Sequence, residues 1–483
     1  MGCSIPMTSV QFVSANASDE EQQQTRRVIR RHVMLGKNRG RPPKNPRQPK
    51  IPGASILSND TAVDGNYQIQ SRIAPPISSD LSLLEFPDKV GLILREVTVR
   101  FCTTTSEYVH FLDPCVDFNT SDDSAVCLWS LFHDALYMNI MVFGAAAFTN
   151  IAFQQATSQP WRNGREDGMQ HYGQALRLLR ERLAEVEHPS SGLQTQGPSL
   201  YDTAVTVVLV FAMHALTIGN FNLARCHLLA LSKLVTMRKE GLVSFRQRTK
   251  QMIELMRCDL SISLATGQLP VLLKGNTTIS EIALQDDSIL LGRPVIIEDF
   301  NLCQIWSSLD RFFGLINNAS VRSSKLPDDL LRDTIYSVVY GLFHVSCVPG
   351  SQDELIRLTM LSFCSRTVLQ WPIVRFPFPW LKSAAEKAID RIMQRGLSII
   401  DSKTRLWVLI IHGIAFTPQS PSDGDRLQQW LTVVGEHLDL TNWAIIRSAM
   451  RGYLWVDIIC NEATRKLLEK FQVGRSRLEQ LEE

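Results

Sequence analysis

Clustered cysteine is the first thing this sequence lacks. Its 10 cysteines stand singly at Cys3, Cys102, Cys115, Cys127, Cys226, Cys258, Cys303, Cys347, Cys364 and Cys460, and none form a CxxC pair. That scatter excludes a disulfide scaffold and a structural zinc site, since both need grouped thiols. The opening run MGCSIPMTSVQFVSANASDEEQQQ has neither the basic start nor the apolar core of a secretory signal. The thiols are therefore expected to be buried and reduced. Pro6 stands where a myristoylation pattern wants Ser or Thr. Enzyme signatures are missing as well: there is no GxSxG elbow, no GxxxxGK[ST] loop, no GxGxxG and no HExxH. The expectation is a protein that is not an enzyme and holds no metal and no cofactor.

Some residues invite chemistry nonetheless. His133–Asp134 is the one adjacent His–Asp pair, and without further His and Asp it reads as a polar edge on an amphipathic helix. His110, Cys115 and Asp117 lie close together, but core or loop packing explains them better than a metal site. The cluster WPIVRFPFPW, from Trp371 to Trp380, has a ligand-pocket reading and a favoured plainer one, a proline-stiffened loop whose rings plug the fold.

Strand alternation bounded by hairpin signals is nearly absent. From Leu81 onward helical periodicity dominates. HYGQALRLLRERLAEVEH puts Tyr172, Leu176, Leu179, Leu183 and Val186 on one stripe. YDTAVTVVLVFAMHALTIGN is apolar all round, as a helix buried in a bundle should be. Asn220 is placed to cap the next helix, which buries Phe221, Leu228, Leu231 and Val235. Further helices are expected near 244–266, 298–317, 329–347, 353–371, 380–399, 403–415, 424–437, 441–460 and 463–481. The fold class is all-α, a large multi-helix bundle of stacked antiparallel helix pairs. Two charge-poor stretches, Ala135 to Trp161 and Thr203 to Ala224, are long enough to span a bilayer. Their internal Asn and Gln residues or closing Gly–Asn fit central helices of a bundle better, so no membrane is expected.

Acid is missing from one segment. Residues 26–50 carry Arg26, Arg27, Arg30, Arg31, Lys37, Arg39, Arg41, Lys44, Arg47 and Lys50 with no Asp or Glu, whereas the whole chain is only +2. The remainder is thus mildly acidic, and a polarised end of this kind marks an interaction arm. Ser18 and Glu21 have capping-box spacing and Gly36 is a stop, so a helix is expected between them. On its wheel the four arginines fall opposite Val28, Ile29, His32, Val33 and Leu35. Pro42, Pro43, Pro46 and Pro49 then forbid a helix and favour extended chain. The domain reading is a basic, largely unstructured amino-terminal arm over 1–50, a linker over 51–80, and the all-helical body over 81–483.

Within the arm, Arg39-Gly40-Arg41-Pro42, flanked by Lys37 and Lys44, has the core of an AT-hook. The narrow, negative minor groove of A·T-rich DNA attracts arginine. Gly40 lets the backbone sit deep, Pro42 keeps it extended, and Arg39 and Arg41 run along the groove floor. Arg26, Arg27, Arg30 and Arg31 would neutralise phosphates. The same two clusters also fit a bipartite nuclear-import signal, and both readings stand.

The stretch FVSANASDEEQQQTRRVIRRHVMLGKNRGRPPK resembles the opening of a large group of fungal regulator-like proteins, on Phe12, Val13, Arg27, Val28, Arg30, His32, Val33 and Met34. HYGQALRLLRERL, NLARCHLLALSKLVTMRKEG and RCDLSISLATGQLPVL, the last with Asp259 and the Gly267–Pro270 turn, resemble successive helices of the fungal-specific transcription factor domain. The resemblance implies a nuclear regulator of a metabolic or secondary-metabolite gene cluster, with DNA, other regulators or a second copy of itself as partners. It departs from that family in one respect. Only Cys3 precedes Cys102, so the six-cysteine zinc cluster is absent and direct DNA contact must come from residues 26–50. The alternative is a helical interaction protein or co-regulator without DNA contact.

Overall fold

Helix follows helix through the computed structural model. It describes residues 85–482 apart from 109–110, 119–120, 159–164, 188–199, 238–240, 246–248, 274–294, 395–399, 417–420, 436–437, 439 and 441. All of these belong to one unit, Asp64–Glu483. The arm and linker expected over 1–50 and 51–80 lie outside the described residues.

The first part of the described chain contains α1 (Leu92–Tyr108), α2 (Ser121–His133), α3 (Ala135–Thr157), α4 (Arg165–Glu187), α5 (Leu200–Thr217), α6 (Phe221–Thr236) and α7 (Thr249–Thr266). The second holds α8 (Phe300–Arg322), the short α9 (Asp328–Leu331), α10 (Ser337–His344), α11 (Gln352–Cys364), α12 (Pro379–Gln394), α13 (Ser402–Ala415), α14 (Pro421–Gly435), α15 (Trp443–Met450) and α16 (Asp457–Glu482). Among the described residues the sheet content is one parallel stitch, β1 (Val116–Asp117) to β2 (Leu326–Pro327). The fold is all-α.

The α5–α6 hairpin shows how the sequence makes antiparallel pairs. Gly219 takes φ +75°, its N–H bonds Leu216 O at 3.0 Å, and Asn220 N–H bonds Ala215 O at 2.9 Å. That closes α5 with a Schellman motif. Asn220 then opens α6, its side chain accepting from Leu223 N at 3.2 Å. The expected cap is present, and Leu228, Leu231 and Val235 are buried as the periodicity requires.

Several boundaries differ from expectation. His133 and Asp134 do not share a helix edge: α2 ends at His133, and Asp134 caps α3. Leu183 is 37% exposed although it lies on the apolar stripe of α4. Cys226 is exposed, whereas Cys102, Cys115, Cys258, Cys364 and Cys460 are buried. The helix expected over 441–460 is broken at 451–456, and α16 starts at Asp457 instead. The cause is tertiary. Trp407 Nε1 donates to Leu454 O at 3.1 Å, and the Asn317 amide donates to Trp455 O at 2.8 Å while accepting from Asp457 N at 2.9 Å. Those partners satisfy the backbone that a continuous helix would have paired internally.

The end of α7 is tied by one carboxylate. After Thr266, Gly267 takes φ +75° and lies so close against the Trp380 indole that a Cβ there would overlap the ring. The chain turns back, and the buried Asp259 side chain accepts from Val271 N (2.9 Å), Leu272 N (2.8 Å) and Tyr340 Oη (2.8 Å). Burial raises the Asp259 carboxyl above its ordinary value, against the pull of those three donors. Asp259→Ala leaves three buried donors unmet, at about 1–3 kcal/mol for each. The variant should lose about 3 kcal/mol or more. Tyr340→Phe removes one donor and should lose about 1 kcal/mol. Urea midpoints check the order, and a Tyr340→Phe loss equal to that of Asp259→Ala would refute the shared anchor.

Candidate functional site

A partly open cleft of about 230 Å³ runs between α3 and α5. Its position follows from Asp134. This side chain caps α3 by accepting from Leu136 N (2.9 Å) and Tyr137 N (3.2 Å). The same carboxylate takes both guanidinium arms of Arg182 on α4, one at 2.8 Å, and the Thr203 hydroxyl on α5 at 3.1 Å. One residue therefore aligns the starts of α3 and α5. Further along, Gly144 on α3 faces Val210 on α5, where an added Cβ would come within 3.2 Å of Val210 Cγ1. Contact at both the start and the middle makes the two helices parallel neighbours.

The α3 wall presents Tyr137, Met141, Gly144, Phe148 and Ile151, spaced three or four residues apart on a single stripe. The α5 wall presents Thr203, Thr206, Val210, Met213 and Thr217. Lys250, Gln251 and Glu254 of α7 lie at the polar end, where Gln251 Nε2 donates to Thr206 Oγ1 at 3.1 Å. Glu254 is held by the fully buried Arg257 guanidinium.

Trp371 and Val374 line the cleft from the WPIVRFPFPW loop. Two glutamines fix this loop. Gln155 of α3 brackets Arg375, its amide donating to the carbonyl at 3.0 Å and accepting from the N–H at 2.8 Å. Gln370 brackets Phe376 in the same way, at 3.0 and 2.6 Å. The Trp371 ring then meets Phe148 edge-on at 5.4 Å and Phe376 at 4.9 Å. Phe376 and Phe378 are buried. Its later rings plug the core, and its first ring lines a cleft.

Charge in the lining is balanced. Asp202 and Lys250 carry opposite formal charges, and Glu254 is paired with Arg257. His214, with its ring 4.8 Å from Phe143, is pushed below the usual 6.5 by burial and stands neutral. Two lining side chains carry a buried ring nitrogen without a hydrogen-bond partner among the described residues, His214 Nδ1 and Trp371 Nε1. Cys127 also lines the cleft and accepts from Tyr137 Oη at 3.0 Å. Contact with Cys127, together with burial, drives the Cys102 thiol well above 9.0, so that thiol is no nucleophile.

The residues expected to touch DNA (Lys37, Arg39, Gly40, Arg41, Pro42 and Lys44) lie outside the described residues. So do Arg26, Arg27, Arg30 and Arg31. His110 is also outside them, and among the described residues no three His, Cys, Asp or Glu side chains gather as a metal site. Among the described residues, α3 is the one helix long and apolar enough to cross a membrane, and 61% of its apolar window is buried against the body. The cleft itself escaped the sequence reading. Its available signal is the small and hydroxylated set Gly144, Ala147, Thr203 and Thr206 on two otherwise bulky apolar helices. The chain matches no family model, no curated protein and no solved structure.

Burial disfavours the Asp134 carboxylate's charge, but Arg182, Tyr137 N–H and Thr203 outweigh it and hold the group below the usual 3.8. A depressed carboxyl contributes stability that is present above the ordinary value and lost as pH falls through the folded one. Asp134→Asn keeps a cap acceptor and deletes the charge. It should cost about 1–2 kcal/mol at neutral pH, with the gap to the parent closing from about pH 4 downward. Urea midpoints across that range check it, and a gap constant with pH would refute the ionic anchor.

Proposed function

We propose that this chain is a nuclear transcription regulator: residues 26–50 contact DNA and carry the import signal, and the helical body is the regulatory part. The observation that carries this reading is the acid-free cationic run with Arg39-Gly40-Arg41-Pro42 at its centre, beside a mildly acidic body. The all-α architecture is compatible with it. The resemblance of residues 12–35 and of three helical segments to fungal regulators supports it further, and with it control of a metabolic or secondary-metabolite gene cluster. A second reading is favoured by one specific feature. The basic residues fall into two clusters, 26–31 and 37–44, with bipartite import spacing. On that reading the chain is a co-regulator that reaches DNA through a partner.

Probe selectivity separates the two. In the first reading Arg39 and Arg41 carry A·T preference, and Arg26, Arg27, Arg30, Arg31 and Lys44 carry phosphate affinity. Changing Arg39 and Arg41 to Ala should erase the difference between A·T-rich and G·C-rich duplexes and leave residual salt-dependent binding. Neutralising any one of the phosphate-facing residues should lower the salt slope by about 0.9. Nuclear import should partly survive, because residues 26–31 remain. A double variant with unchanged probe preference refutes groove recognition. Duplex affinity that survives deletion of 26–50 refutes the arm as the DNA contact.

A further inference from the structure

We propose that the α3–α5 cleft is a binding site for a small, uncharged, mainly apolar ring compound bearing one hydroxyl or carbonyl group. The inference concerns the helical body alone and is independent of DNA contact by residues 26–50.

Size and shape come first. A cavity of about 150 Å³ already accommodates benzene, and this one is about 230 Å³. The α3 stripe from Tyr137 to Ile151 extends over about 20 Å of helix. The volume is therefore drawn out into a slot, which suits a flat ring system. Gly144 sits against Val210 where the two helices touch, and the space beside that contact is left by Ala147 on one wall and Thr203 and Thr206 on the other, where larger side chains would narrow it. Met141 and Met213 supply walls that adapt to an irregular ring outline.

Chemistry then selects the class. Ordered water needs two to four polar partners, and the end formed by Phe148, Ile151, Val374 and the flank of Met213 gives it few. An ion finds little net opposite charge, since the lining holds Asp202 and Glu254 against Lys250, and Arg257 is paired with Glu254. Entering such walls unpaired, a carboxylate or ammonium would lose its hydration without compensation. One polar group is nonetheless called for. Among the described residues, Trp371 Nε1 is a buried donor with no acceptor, and the neutral His214 ring leaves Nδ1 unmatched. An oxygen that accepts from the indole, or a hydroxyl that donates to the imidazole, meets that deficit. Phe148 and Trp371, edge to face at 5.4 Å, offer an aromatic ligand the contacts it favours.

The test uses the full-length chain and 2-naphthol, with 2-naphthoate as the charged isostere. Naphthol fluorescence should titrate to one site per chain, with naphthoate weaker by about tenfold or more. Ala147→Phe fills the slot and should weaken naphthol by about tenfold or more while keeping the parent's helicity and a cooperative urea transition. Should that variant fail to fold, Thr206→Leu narrows the opposite end of the slot and is read in the same way. Absence of saturable naphthol binding, equal affinity for naphthoate, or unchanged affinity in a folded filled variant would each overturn the proposal.

Discussion

Asp134 is the constraint on which the amino-terminal half depends. A helix start exposes N–H groups that need an acceptor, and Asp134 supplies one to α3 while holding Arg182 of α4 and Thr203 of α5. The starts of α3 and α5 and the closing turns of α4 are thereby brought to a common reference point. The charge is only partly buried, so the pair retains its Coulomb gain without the full desolvation cost of a deep ion pair. With the starts aligned, the spacing of the two walls downstream is set by side-chain size alone. Gly144 against Val210 brings α3 and α5 close, and the small residues on either side leave the slot.

The other structural problem is irregular chain inside a helical body. Every such segment must find partners for its backbone groups, and here side chains provide them. Asp259 takes the N–H groups after Gly267, Gln155 and Gln370 each bracket one residue of the 371–378 loop, and Asn317 brackets the break before α16. Each amide imitates a strand neighbour by giving one donor and one acceptor. This is why a loop with Pro372, Pro377 and Pro379 can hold Trp371 in a fixed position against Phe148.

What the sequence disclosed follows the same division. Local rules were readable: the Asn220 cap, the all-round apolar α5 and the stripe of α6 depend on residues a few positions apart. Long-range partners were not. Asp134 next to His133 looked like a polar edge because its acceptor role depends on Arg182 and Thr203, both far along the chain. The break at 451–456 was hidden because Ile446, Met450, Leu454 and Val456 continue a plausible apolar pattern, and the groups that interrupt it are Trp407 and Asn317. The cleft was hidden for a further reason. A glycine or threonine on a helix face records a small volume, and whether that volume is filled from across the interface is a property of the partner helix.

On the readings proposed above, the arm and the cleft use opposite physics. The arm's attraction to DNA, on the proposed reading, arises from counterion release and weakens steeply with salt. The cleft has balanced charge and apolar walls, so occupancy there depends on apolar area removed from water, which moderate salt hardly alters. If a ligand in the cleft altered the affinity of the arm for DNA, the two sites would be linked. Linkage then requires reciprocity: any factor by which the ligand alters affinity for DNA is the factor by which DNA alters affinity for the ligand. Because only the DNA side of that cycle is strongly salt-dependent, raising salt should pull the two apart. Ligand affinity measured with DNA present should fall back to its DNA-free value as the duplex is released.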